Sequence, residues 1–199
     1  MRLGILGGTF DPIHVGHLAV AKAAINCANL DRILFVPSAQ PPHRGPASAP
    51  AEDRLAMVRL AVEGEPRLEV ADVEVRRGGT SYTAETLSEI HREHPNDELF
   101  LILGWDAARL FRTWHDPERV ASLASVVIVD RPGLGRASPE EFARLGLDPA
   151  RVFTCHFPTP DVSGSALRRA IAARQPVTGQ VPPAVERYIA DHHLYLDNR

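Results

Sequence analysis

The sequence predicts an α/β protein, a mostly parallel sheet flanked by helices. Three observations carry that expectation. A short apolar run at residues 3–6 is followed by Gly7-Gly8 and then by helical periodicity over residues 15–28, the order strand, glycine turn, helix. Residues 33–36 and 99–103 are unbroken apolar runs, the pattern of strands covered on both faces. With 199 residues and 44% hydrophobic content, the chain is long enough for one well-buried domain and too short for two generous ones.

The first unit, Gly7 to His17, reads Gly-Gly-Thr-Phe-Asp-Pro-Ile-His-Val-Gly-His. A tight turn at Gly7 and Gly8 that delivers the chain to a helix start leaves backbone N–H groups unpaired, with the positive end of the helix dipole behind them. Phosphate is the natural guest of such a turn. His14 and His17 are three apart, so both imidazoles can face one anion, protonated or donating an N–H, and Gly16 keeps the space between them open. The spacing is neither G-x-G-x-x-G nor a Walker A loop. A zinc reading of the two histidines lacks a third protein ligand and the Glu of H-E-x-x-H.

The second strand spans residues 31–36 and ends at Pro37; residues 38–50, rich in Pro, Ser and Gly, form a loop. A long loop after a parallel strand lies at the carboxyl edge, where His43 and Arg44 are either phosphate contacts or solvated charges. Residues 51–63 repeat Leu55, Val58, Leu60 and Val62 among charges and read as an amphipathic helix closed by Gly64. Residues 68–75 alternate in part, an edge-like strand, before a turn at Arg76-Arg77-Gly78-Gly79. Ser81-Tyr82-Thr83-Ala84-Glu85 then gives a helix N-cap signature ahead of Leu87 and Ile90.

Gly104-Trp105-Asp106 follows the most apolar strand, and a carboxylate such as Asp106 suits ribose hydroxyls, although the triplet reads equally as an N-capped helix start. Trp114 and His115 precede a short helix over 117–123, and a strand follows at 124–129. Trp114 is either a core plug or a stacking surface. Beyond a Gly/Pro loop at 131–138, a helix at 139–145 and a last strand at 151–155 lead to Ser163-Gly164-Ser165-Ala166-Leu167-Arg168. Ser163 or Ser165 at a helix start, with Arg168 on its first turns, makes a second anion site. Two such starts in one chain suit a polyphosphate. The final helix, residues 182–192, turns Val185, Tyr188 and Ile189 inward.

The formal net charge of −3, with charges mixed along the chain, excludes the basic field of a non-specific nucleic-acid binder. No apolar stretch reaches membrane-span length, and the N-terminal run is broken too early for a signal peptide, so a soluble cytoplasmic protein is expected. Cys27 and Cys155 read as reduced, small core residues. Cys155 beside His156 does not make a nucleophile and base, because neighbours on a strand point to opposite faces.

The string Gly-Thr-Phe-Asp-Pro-Ile-His-x-Gly-His resembles the signature of the H-x-G-H nucleotidyltransferase superfamily. Pro41-Pro42-His43-Arg44, Ser81-Tyr82-Thr83-x-x-Thr86-Leu87, Gly104-x-Asp106, Thr113-Trp114, Arg131-Pro132, residues 163–168 and Val181-Pro182 with Tyr188-Ile189 extend the likeness over the whole chain. Together they are similar to the bacterial nicotinate-nucleotide adenylyltransferases. The resemblance implies a Rossmann-like, doubly wound fold in one domain, residues 1–199, with the C-terminal helices packed on that core. It implies adenylyl transfer from ATP, with Mg²⁺, to nicotinate mononucleotide, giving deamido-NAD and pyrophosphate. Alternatives are transfer to nicotinamide mononucleotide or phosphopantetheine, or a nucleotide sensor without turnover. Small-molecule substrates are the expected partners, with neither nucleic acid nor membrane, and a homo-oligomer stays open.

By the same resemblance His14 and His17 are catalytic, with His17 at the α-phosphate. Ser163, Ser165 and Arg168 grip the β and γ phosphates, and Gly7, Gly8, Thr9, Phe10, Gly104 and Asp106 serve ATP. Arg44, Thr83, Ala84, Trp114 and His115 receive nicotinate mononucleotide. Three positions depart from the family pattern: Arg44 where Lys is usual, Gly164-Ser165 where Ser and Thr are common, and His193 in place of a frequent Gly.

Overall fold

The computed structural model describes residues 1–41, 45–130, 138–158 and 160–196. Six strands, β1 (Arg2–Gly8), β2 (Arg32–Pro37), β3 (Leu68–Val70), β4 (Glu98–Gly104), β5 (Ala124–Asp130) and β6 (Val152–His156), form one sheet in the order β3-β2-β1-β4-β5-β6. The β1–β4, β4–β5 and β5–β6 pairs are parallel, with Leu3 opposite Leu99 and Leu101 opposite Val126. This is the expected Rossmann-like architecture, and its strand order reverses between β1 and β4. The helices are α1 (Val15–Cys27), α2 (Ala51–Val62), α3 (Val73–Arg77), α4 (Thr83–Glu93), α5 (Trp105–Arg109), α6 (Pro117–Leu123), α7 (Pro139–Arg144), α8 (Gly164–Ala172) and α9 (Pro183–Asp191).

The chain divides into two compact units, each assembled from separated stretches. One holds Met1–Gly7, Val20–Leu34 and Tyr82–Thr159. Its core is the apolar interior of β1, β4 and β5, where Leu3, Ile5, Ile102 and Val127 are each at most 1% exposed. Gly4 belongs to that core because it has no side chain: a Cβ there would stand 2.8 Å from both Ile33 Cγ1 and Leu30 Cδ1, and 3.0 Å from Ile102 Cδ1. The other unit holds Gly8–Ala19, Phe35–Ser81 and Pro160–Arg199. There Met57 and Val58 of α2 and Val185 of α9 are fully buried, and Tyr188 Oη donates to Asp53 Oδ1 across those helices at 2.8 Å.

Several expectations are corrected. The tight turn is not made by Gly7-Gly8, which finish β1 without a positive φ; the chain reverses just after, at Phe10 (φ 49°) and the cis Asp11–Pro12 bond. The alternation at 68–75 yields only a three-residue edge strand, because α3 starts at Val73 and buries Val73 and Glu74. At the start of α4 no side chain caps the helix; Ser81 Oγ instead accepts from the Ala39 N–H at 2.9 Å. Cys27 and Cys155 are not reduced core thiols: they form a disulfide, Cα–Cα 5.8 Å, and Cys27 is exposed. Nothing local signals this, since the end of α1 and β6 meet only through the fold, 128 residues apart.

Candidate active site

The loop between β1 and α1 is built around three constraints. Phe10, 2% exposed, folds back over Gly8, where a Cβ would come within 3.0 Å of its ring. The edge of that ring meets His17 at 5.0 Å between centroids, and Phe35 lies 5.6 Å away. Phe10 is therefore a core plug that seats His17, and only its backbone is left for a ligand. Thr9 presents its carbonyl to Arg54.

His14 and His17 stack at 3.7 Å with 25° between their planes. The His14 N–H donates to His17 Nδ1 at 3.2 Å, and the His17 N–H donates to the His14 carbonyl at 2.9 Å. With Nδ1 an acceptor, neutral His17 carries its proton on Nε2. His14 is 8% exposed, and burial lowers its pKa from the ordinary 6.5 to about 4, so it is uncharged at neutral pH. Of the two modes open to an imidazole, His14 has the neutral one. Its Nδ1 is buried with no hydrogen-bond partner among the described residues, and a Cβ on Gly16 would stand 2.9 Å from it. The space expected between the two imidazoles is closed by their stacking; Gly16 instead leaves room for the His14 ring itself.

The second helix start lies in the same unit. Ser163 caps α8, its Oγ accepting from the Ala166 N–H at 3.3 Å and lying 3.4 Å from Ser165 Oγ. A Cβ on Gly164 would press the Asp11 carbonyl at 3.0 Å, so the absence of a side chain at this departure from the family pattern lets α8 sit against the histidine loop. Arg168 Nη1 donates to that same carbonyl at 2.6 Å. Among the nine described α-helices, α1 and α8 alone lack an acidic residue in the first turn; each of the other seven carries at least one. Their positive ends are left without a neighbouring carboxylate of their own first turn.

In the other unit, Thr83 opens α4 and Ala84 is 2% exposed. The ring of Tyr82, just ahead of them, lies 4.3 Å from that of His115, which brings residues 82–84 to residues 114–115. Trp114 follows the 3₁₀ turn Phe111–Thr113, is half-buried, and packs at 5.5 Å on Phe111. Gly104 caps α5, Asp106 is exposed in its first turn, and a Cβ on Gly104 or on Gly7 would meet nothing within 4 Å. Arg44, with Pro42 and His43, lies outside the described residues, as does Arg131-Pro132.

Sequence reasoning missed two residues that organise the loop. Asp11, 8% exposed, accepts from the Ser48 N–H at 2.7 Å, the Ala49 N–H at 3.1 Å and Tyr195 Oη at 2.8 Å. Arg54 is 1% exposed and donates to the carbonyls of Thr9 at 2.7 Å, Ala39 at 3.1 Å and Ala49 at 3.1 Å. Burial lowers the Arg54 pKa while Asp11 raises it. A signal for Arg54 was present: it shares a helical face with Val58 and Ala61, a charge on the apolar stripe of α2. Among the described residues, no group of three or more His, Cys, Asp or Glu is gathered to hold a metal, and no helix is long and apolar enough to cross a membrane.

Residues 5–170 match the cytidylyltransferase-like family. A "probable nicotinate-nucleotide adenylyltransferase" of Thermus thermophilus is 46% identical over 195 residues, covering 98% of this chain and 100% of the relative. One of the same name from Thermomicrobium roseum is 42% identical over 195 residues, covering 98% and 91%. The solved nicotinic acid mononucleotide adenylyltransferase of Plasmodium falciparum, complexed with NaAD, superposes with a TM-score of 0.79 at 18% identity, covering 98% and 97%, a likeness of fold. The chain belongs to the nicotinate-nucleotide adenylyltransferases, within the cytidylyltransferase-like family.

Proposed function

We propose that the α1 and α8 helix starts hold the triphosphate of ATP while the chain catalyses adenylyl transfer to nicotinate mononucleotide, giving deamido-NAD and pyrophosphate. The observation that supports this most is the approach of the α8 start to Asp11, in the loop that leads into α1, these two being the described α-helices without an acidic first turn. The likeness to relatives named for this activity supports the choice of acceptor.

The step is an in-line displacement. A phosphate oxygen of the mononucleotide forms a bond to the α-phosphorus, and the bond from that phosphorus to the oxygen bridging to the β-phosphate breaks. The electron pair leaves with pyrophosphate. A phosphate monoester is already nucleophilic at neutral pH, so the protein's task is to hold two anions together and to offset the growing charge. Neutral His14 and the Nε2–H of His17 donate at the α-phosphate without adding full charges. Ser163, Ser165 and Arg168 take the β and γ phosphates, with Gly7, Gly8, Thr9 and the Phe10 backbone at the triphosphate as well. Gly104 and Asp106 serve the adenosine. Thr83, Ala84 and His115 offer backbone N–H groups to the nicotinate carboxylate, Trp114 stacks on the ring, and Arg44 contacts the mononucleotide phosphate.

Mg²⁺ would come with the triphosphate and would supply charge neutralisation there, beside the phosphate-binding Ser163, Ser165 and Arg168. The enzyme works in the cytoplasm as a single domain of residues 1–199, as a homo-oligomer or alone. The test is pyrophosphate release from ATP and Mg²⁺ with nicotinate mononucleotide, nicotinamide mononucleotide and phosphopantetheine offered separately. Strong preference for the first is expected. Preference for another acceptor refutes the substrate, and no release with any refutes turnover.

A further inference from the structure

Asp11 is a buried carboxyl group whose two oxygens accept three hydrogen bonds. Oδ2 takes the Ser48 N–H at 2.7 Å, and Oδ1 takes the Ala49 N–H at 3.1 Å and the Tyr195 hydroxyl at 2.8 Å. Arg168 Nη1 stands 3.6 Å from Oδ2, beyond a hydrogen bond, and donates instead to the Asp11 backbone carbonyl. A carboxylate left to itself pairs with a guanidinium through two parallel bonds and occupies its fork. Here Nη1 comes only to ion-pair distance of Oδ2 and no two-bond fork forms, and the Arg168 side chain stays about one-third exposed, 32% against 7% for Asp11.

The group that occupies Oδ1 comes from the far end of the chain, and its delivery is conformationally demanding. The turn after α9 places two non-glycine residues, His193 (φ 52°) and Tyr195 (φ 63°), in the left-handed region. It is closed by bonds from the His193 N–H to the Ala190 carbonyl and from the Leu194 N–H to the Ile189 carbonyl. Burial and the neighbouring carboxylate keep the Tyr195 phenol protonated, so it acts as a donor. Arg54 grips the other side of the same peptide segment through the Ala49 carbonyl, and fixes Thr9 two residues ahead of Asp11.

We propose that Tyr195 is a positioning residue for adenylyl transfer: together with the Ala49 N–H it occupies Asp11 Oδ1, so that the carboxylate cannot offer both oxygens to the Arg168 fork and the outer N–H groups of Arg168 remain directed to the triphosphate. Arg54 supports the same arrangement from the loop side. This rests on the reading of Arg168 as a phosphate ligand.

The test is a double-mutant cycle of Tyr195→Phe and Arg168→Ala, read as kcat/KM for ATP, KM for nicotinate mononucleotide, and melting temperature. Tyr195→Phe keeps the ring and the turn and removes only the hydroxyl. Its expected effect is a roughly tenfold loss in kcat/KM for ATP, on the order of one charge-assisted hydrogen bond, with KM for the mononucleotide unchanged and the melt within a few degrees. In the Arg168→Ala background the same change is expected to have no further effect. Additive losses, equal losses for both substrates, wild-type kinetics in Tyr195→Phe, or a melt lowered enough to account for the loss would each overturn the proposal. If Arg168→Ala alone leaves ATP kinetics intact, the phosphate reading of Arg168 fails and this one with it. If Arg168→Ala is damaging and Tyr195→Phe is silent, only the Tyr195 role fails.

Discussion

Gly16→Ala separates the chemistry of the histidine pair from the stability of the helix that carries it. The added methyl would lie 2.9 Å from His14 Nδ1 and 3.1 Å from Cε1. An ordinary contact needs ~3.5 Å, so the ring has to move by roughly half an ångström. It cannot do so alone, because it stacks on His17 at 3.7 Å and the two residues are tied by two hydrogen bonds. Displacements of this size in a catalytic array cost about 10- to 100-fold in rate, or ~1.4–2.7 kcal/mol of transition-state stabilisation. The same substitution replaces a glycine in the first turn of α1 with the best helix former, a gain of at most ~1 kcal/mol. Crowding of ~1–3 kcal/mol opposes that gain, so the expected variant melts within a few degrees of the parent and is 10- to 100-fold slower in pyrophosphate release. The assay pairs steady-state turnover at saturating substrates with thermal unfolding. Parental turnover would refute the reasoning, since it would mean that the His14 ring position does not matter to the step.

Two further outcomes follow from the site and the core. Because the folded pKa of His14 is about 4 and its ordinary value 6.5, the unfolded chain binds more protons between those limits. The contribution is full above pH 6.5 and is lost as pH falls toward 4, by up to ~3 kcal/mol; His14→Gln should flatten the denaturation midpoint over that window, and an unchanged slope would contradict the burial argument. Reduction of the Cys27–Cys155 disulfide, which closes a 128-residue separation, should lower stability by at most ~5 kcal/mol, read as the urea midpoint with and without reductant in the parent and in Cys27→Ser; coincident curves in the parent would mean the bridge does not form.

What was legible in the sequence was whatever local chemistry decides. Unbroken apolar runs named β2 and β4, and the short helix expected over 117–123 is α6. His14, His17, Ser163 and Arg168 were visible because their motifs are contiguous. Asp11 was in plain view inside the first motif, yet its role depends on Ser48, Ala49 and Tyr195, which no window around residue 11 contains. Arg54 was hidden for the same reason: its partners are three carbonyls, and carbonyls leave no mark in a sequence. The 68–75 segment failed differently. A partial alternation of two has the same apolar count as a short helix, and burial of Val73 and Glu74 chose between them.

Gly4 bears on how the chain can change over generations. The space a Cβ would need is held by Leu30, Ile33 and Ile102, with two contacts at 2.8 Å and one at 3.0 Å. Any larger residue at position 4 overfills the interior, a penalty of ~1–3 kcal/mol that consumes much of a small protein's margin. Ile102→Val would remove the 3.0 Å contact at a cost of ~0.5–1.5 kcal/mol, but Ile33→Val keeps the Cγ1 that stands at 2.8 Å, and Leu30 Cδ1 remains at 2.8 Å as well. The order of events therefore matters: the neighbours have to shrink before position 4 can grow. Gly4→Ala introduced alone is expected to be destabilising and Ile33→Val is not expected to rescue it, so position 4 is expected to vary only in lineages where both Leu30 and Ile33 have already become smaller at the contacting atoms.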